Sequence, residues 1–266
     1  GRSTLELARF LLARGLWLIV LELTVIRALM WFNVDYSFFG LAQVIWVIGV
    51  SMIVLAALVF LPLPVVATIG FAMVIGHNAF DTVRVPAWGG GDSPAPGAWA
   101  TLWIVLHQGG MLPFGNGSFV WVLYPLIPWI GVMAVGYAAG RIYDGEPSQR
   151  QHLLIRYGLL AIGFFVLLRL GNTYGDAQHW QPQATLVNSA LSFVNTTKYP
   201  PSLLYLLMTI GPSLLLLAAI DGLPLRAGAA RALVTFGRVP MFFYLLQWIG
   251  SHGVAVLLTL AAGKQA

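Results

Sequence analysis

Cysteine is absent from the chain, which removes disulfides, thiolate metal sites and cysteine nucleophiles and leaves the redox compartment open. Charge is almost as scarce. Asp, Glu, Lys and Arg make up 9% of the residues and hydrophobic types 59%, where ordinary soluble domains carry about 25% charged residues. A chain of that balance is expected to have lipid as its main solvent, so the bilayer is its first partner. No Gly-x-x-x-x-Gly-Lys-Ser/Thr loop, His-Glu-x-x-His pair or Gly-x-Ser-x-Gly elbow occurs. An ATP-driven pump, a zincin protease and a serine hydrolase of that type lose support. The net charge of +5 is small and scattered, which argues against a nucleic-acid partner.

What the chain has instead is hydrophobic runs. Stretches of roughly 17–25 mostly apolar residues fall at 11–32, 41–60, 65–81, 119–140, 153–170, 202–220 and 239–261. Hydrocarbon offers the backbone no hydrogen bonds, and runs without polar alternation do not suit a barrel. The sequence therefore predicts an all-α, multi-pass transmembrane helical bundle with about seven spanning helices, as a single domain over 1–266. The chain opens without methionine and closes directly after an apolar run, so that domain is expected to be a fragment truncated at both ends. Pro62 and Pro64 mark a tight turn between the second and third runs. Two connections are long, 82–118 and 171–201, and the first is expected to hold a short helix at 98–107.

Lys and Arg set the orientation. With the N-terminus cytoplasmic, Arg2, Arg9, Arg14, Arg141, Arg150, Arg156, Arg226, Arg231 and Arg238 fall inside, and Arg27, Arg84, Arg169, Lys198 and Lys264 outside. Both long connections then face outward. Gly136-x-x-x-Gly140 predicts close helix packing ahead of a dimer interface, and a homo-oligomer stays open.

An ionisable residue inside hydrocarbon needs a partner or a function. Glu22 predicts an interhelix ion pair, and Arg27 can snorkel. His77, Asn78, Asp81 and Arg84 gather at the outer end of the third run, with His77 and Asp81 four residues apart on one helix face. A carboxylate beside an imidazole can fix its tautomer and raise its basicity, as a general base or proton relay requires. A helix-end hydrogen-bond network that holds the following loop is the other reading. His107, four residues after Trp103 and eight after Trp99, extends an aromatic stripe expected in the outer interface rather than a ligand. Arg169, Asn172, Tyr174, Asp176, Trp180 and Lys198 offer charge and stacking faces for an anionic or sugar-like group. Asn195, Thr196, Thr197 and Lys198 stand before Pro200 and Pro201, and open amides there suit an anion. His252 reads as a bundle-facing hydrogen-bonding histidine. No metal is expected.

Several strings carry a resemblance: Phe10-Leu-Leu-Ala-Arg-Gly-Leu-Trp-Leu, Leu21-Glu-Leu-Thr-Val-Ile-Arg, Phe32-Asn-Val-Asp-Tyr, Ile75-Gly-His-Asn, Tyr124-Pro-Leu-Ile-Pro-Trp-Ile-Gly-Val, Phe193-Val-Asn-Thr-Thr-Lys-Tyr-Pro-Pro-Ser-Leu-Leu and Phe236-Gly-Arg-Val-Pro-Met-Phe-Phe-Tyr. They are similar to bacterial membrane proteins related to heparan-alpha-glucosaminide N-acetyltransferase, over nearly the whole chain. The resemblance implies a transmembrane acyltransferase of the bacterial inner membrane. Its acyl-CoA donor would deliver an acetyl group to a sugar-like or other small-molecule acceptor outside the cytoplasm. It also implies a preceding region of two helices, to which the catalytic histidine of the eukaryotic relative is assigned and after which this chain begins. Here His77 and Asp81 are the catalytic candidates. Asn78, Arg84, Arg169, Asn195, Thr196 and Lys198 are the substrate-binding ones. A secondary transporter or flippase with Glu22, His77 and Asp81 along an ion path is the alternative.

Overall fold

The computed structural model describes residues 3–35, 39–115, 117–221, 223 and 228–263. Arg2, Tyr36, Arg226 and Lys264 lie outside them. The first run is α1 (Thr4–Leu21), a π turn at Glu22–Ile26 and α2 (Arg27–Trp31). A capping box starts it, in which Glu6 N–H donates to Ser3 Oγ and Ser3 N–H to Glu6 Oε2. After β1 (Phe39–Ala42) come α3 (Val44–Leu58) and α4 (Leu63–Gly76). Pro62 caps α4 and Pro64 lies in its first turn, where a missing N–H costs nothing. The first long connection holds α5 (Ala98–Trp103), which runs into a π turn at Ile104–Gln108, then β2 (Gly110–Gly115) and β3 (Ser118–Val122). There follow α6 (Leu126–Ala139), α7 (Pro147–Gly171), α8 (Leu186–Val194), α9 (Leu203–Ile220), α10 (Gly228–Arg238) and α11 (Pro240–Ala261).

Among the described residues, five helical segments are long and apolar enough to cross a membrane: Leu63–Phe80, Leu126–Asp144, Pro147–Gly171, Leu203–Ile220 and Pro240–Ala261. α3 is apolar but shorter. The runs expected to begin at 41 and 119 start as strands instead, because Ser118-Phe-Val-Trp-Val is rich in β-branched and aromatic residues. β3 pairs parallel with β1 and antiparallel with β2, in the order β1-β3-β2. This small sheet ties the connections together at one end of the bundle.

Paired glycines set the helix crossings. α1 packs on α3, α4 on α6 and α7 on α9. A Cβ on Gly15 would lie 2.5 Å from Gly49 O, one on Gly131 2.9 Å from Gly70 O, and one on Gly158 3.0 Å from Gly211 O. Lipid gives helices no hydrophobic reason to associate, so close backbone approach through small residues has to supply the packing. The expected packing role of Gly136 and Gly140 is overturned. Among the described residues a Cβ at either meets nothing within 4 Å, and both line an open groove of about 520 Å³.

Glu22 also departs from expectation. Its Oε2 accepts from the N–H groups of Ile45 (2.7 Å) and Trp46 (3.1 Å), and among the described residues it makes no ion pair. Gln43, the residue at the N-cap of α3, makes no side-chain cap bond, so a carboxylate from the neighbouring helix supplies it at the positive end of the helix dipole. The Arg27 guanidinium donates to the carbonyls of Asn33 and Asp35. Glu22→Ala is expected to lower stability by about 1–3 kcal/mol, the cost of leaving buried donors unpaired. Glu22→Gln, which keeps an acceptor, should lose less. Thermal unfolding in detergent measures both, and equal midpoints for wild type and Glu22→Ala would refute the capping role.

Candidate functional site

The end of α4 tightens into a 3-10 turn at His77–Phe80. This places Asn78 against Asp81, with Asn78 Nδ2 donating to Asp81 Oδ2 at 2.8 Å. The other end of the same amide, Oδ1, accepts from Leu203 N–H at 2.8 Å. Asn78 thereby joins the end of α4 to the start of α9. His77 is 1% exposed, and neither ring nitrogen has a hydrogen-bond partner among the described residues.

His107 arrives from a different element. Ala100, Trp103, Ile104 and His107 are all buried, at the i, i+3, i+4, i+7 spacing of one helical face. His107 therefore turns inward, rather than lying in the interface as the aromatic stripe suggested. Only Trp99 of that stripe is exposed, stacked on Trp103 at 5.6 Å. His107 Nε2 lies 3.3 Å from Asp81 Oδ1. Trp103 flanks the imidazole at 4.9 Å and is fixed by its own Nε1–H, which donates to Val83 O at 2.9 Å. The His77 and His107 rings meet edge-on at 5.9 Å. One donor atom each from His77, Asp81 and His107 lies within 4.8 Å of the others. An imidazole held by a carboxylate at one nitrogen keeps the other free for proton transfer, and His107 Nδ1 is buried with no partner among the described residues.

The second cluster is built differently. Asp176 accepts from Gln178 N–H, Thr197 N–H, Thr197 Oγ1 and Ser202 Oγ, all at 2.7–2.8 Å. The amide of Thr197, expected to be open for an anion, is thus taken by a carboxylate of the chain itself. Arg169, 1% exposed, gives its guanidinium to the carbonyls of Phe193, Gln178, Ser192 and Asn195. It clamps the end of α8 and has little left to offer a substrate. Thr196 Oγ1 is buried and unpartnered among the described residues. Asn195 and Lys198 are exposed. Lys198 Nζ sits over the Tyr199 ring at 5.1 Å, and a hydrogen bond to the Tyr199 hydroxyl holds its ammonium above the usual lysine range. Tyr199 Oη in turn meets Tyr124 Oη at 3.1 Å. Arg84 is exposed and makes no hydrogen bond or ion pair with the described residues of either cluster. His252 is half-buried, hydrogen-bonds Trp248 O of its own helix through Nδ1 at 3.0 Å and stacks on the exposed Phe32.

The family model described as Heparan-alpha-glucosaminide N-acetyltransferase, catalytic, matches residues 3–172. No curated protein and no solved structure matches the chain. The matched stretch contains His77, Asp81 and His107. Asp176 and the 195–202 segment lie beyond it and reach the cluster through the Asn78–Leu203 hydrogen bond.

Asp176→Ala leaves the Thr197 amide and the Ser202 hydroxyl without their acceptor. It is expected to destabilise the 195–202 segment by about 1–3 kcal/mol, read as faster cleavage there in limited proteolysis. Cleavage at the wild-type rate would contradict the assignment.

Proposed function

The chain belongs to the heparan-alpha-glucosaminide N-acetyltransferase catalytic family, and on that premise we propose that it transfers an acyl group, acetyl from acyl-CoA, to an amine or hydroxyl of a sugar-like acceptor. The observation that carries this reading is the buried His107–Asp81 pair with its free imidazole nitrogen, at a bundle end inside the family match. Asp81, steadied by Asn78, holds the His107 tautomer with Nδ1 bare. Nδ1 takes the proton of the acceptor as its nitrogen or oxygen attacks the thioester carbonyl. The new C–N or C–O bond forms, the C–S bond breaks, and the proton passes to the departing coenzyme A thiolate. His77 lines the same site, and Asn195 and Lys198 orient acceptor or donor at its rim.

On this reading the chain is a multi-pass protein of the bacterial inner membrane with its start cytoplasmic, so that this bundle end faces outward. The arginine distribution supports that orientation. The transporter reading needs Glu22 to continue a path toward His77 and Asp81. Its carboxylate is committed to the amides of α3 instead, which favours the enzyme.

Acyl transfer from acetyl-CoA to glucosamine by the whole gene product tests the reading. His107→Ala and Asp81→Asn should each lower kcat by about 10²–10⁴, the usual contribution of a positioned base, whereas Lys198→Ala should act mainly on KM. Unchanged kcat in His107→Ala would refute the assignment. Ion-dependent uptake into liposomes without transfer from any acyl-CoA would favour the transporter.

A further inference from the structure

We infer that His77, Asp81 and His107 form a binding site for a divalent transition-metal ion, with Zn²⁺ the cation that suits the donors best. The motif is invisible to spacing, because His77 and Asp81 stand at the end of α4 while His107 comes from the π turn after α5.

The geometry is close to what a tetrahedral ion needs. Ligands about 2.0–2.2 Å from a common centre stand roughly 3.3–3.5 Å from one another. His107 Nε2 and Asp81 Oδ1 are 3.3 Å apart, and the third donor, from His77, lies within 4.8 Å of both. A modest rotation of one imidazole closes the set. His77 supplies an independent reason. It is 1% exposed, and both its nitrogens lack partners among the described residues. A polar ring in that condition is destabilising in the protein alone and is satisfied by a metal bond.

The surroundings resemble the support that metal ligands require. Asn78 Nδ2 holds Asp81 Oδ2 at 2.8 Å and so aims Oδ1 at the histidines, the task of groups behind a first ligand. Phe80 and Trp103 wall the His107 ring at 6.4 and 4.9 Å. The carbonyl end of α4, negative by its dipole, points at the site and favours a cation. Two imidazoles and one carboxylate leave a fourth position open, as in catalytic rather than structural zinc sites.

The binding claim stands on this geometry alone, and only its role rests on the acyl-transfer reading. A cation there lowers the proton affinity of an amine, hydroxyl or water in the open position. It would thus take over the work assigned above to the free imidazole nitrogen.

The test strips the detergent-solubilised whole gene product with a chelator, reloads it with Zn²⁺, and measures metal by mass spectrometry after gel filtration. Co²⁺ reloading adds a visible absorption spectrum that reports ligand geometry without any variant. About one equivalent is expected in wild type, with loss in His77→Ala and His107→Ala and retention in His152→Ala, at an exposed position. Asn78→Ala should weaken affinity about 10–100-fold. A metal-free wild type with no Co²⁺ spectrum would overturn the inference, as would metal that persists in both cluster variants. Transfer that survives full chelation overturns the metal's role in the reaction and leaves the acyltransferase standing. Stoichiometric metal with no transfer does the reverse.

Discussion

Hydrocarbon offers a buried N–H, carbonyl or charge nothing to bond to, so every polar group carried into the bundle must be answered by another part of the chain. That constraint organises the molecule. Glu22 answers the first amides of α3, Arg169 answers four carbonyls around the end of α8, and Asp176 answers the backbone and hydroxyls that lead into α9. In each case a side chain that looked chemically available in the sequence is committed to holding backbone in place. His77 differs from these three: among the described residues both its nitrogens are unanswered, beside a His107–Asp81 pair whose Nδ1 is bare as well. Keeping such a ring dry and unpaired is costly to the fold.

The position of that cluster depends on packing elsewhere. Close glycine contact brings α4 against α6 through Gly70 and Gly131, and α7 against α9 through Gly158 and Gly211. The two pairs meet where Asn78 accepts from Leu203 N–H and where the Tyr174 hydroxyl donates to Ile75 O. One asparagine therefore orients Asp81 with its nitrogen and docks α9 with its oxygen. The geometry of the cluster and helix assembly share a side chain, so each constrains the other.

The helices were legible because apolar runs of spanning length leave little choice of structure, and Pro62 and Pro64 fall at the α4 start where the sequence placed a turn. The sheet was not, since Leu41 and Phe119 begin apolar runs of spanning length, and the β-branched and aromatic residues at 118–122 are a weaker local signal than the run they open. His77, Asn78 and Asp81 were legible as a cluster because they are neighbours in sequence. His107 was missed as their partner because contact between elements is a tertiary fact. Its one signal, the buried face of Ala100, Trp103, Ile104 and His107, was masked by the more conspicuous spacing of Trp99 and Trp103. Arg169 and Asp176 were legible as important but not in kind, because charge alone does not tell a ligand site from a clamp on carbonyls and amides.

The convergence of His77 and His107 on Asp81 is the point on which the account turns. Nitrogen NMR of ¹⁵N-histidine-labelled protein in bilayers reads it directly, with the two rings assigned by substitution. The account predicts that Asp81→Asn shifts the ring nitrogens of both histidines and leaves His152 and His252 unmoved. Two histidines that ignore Asp81→Asn and resemble free imidazole in water would contradict it.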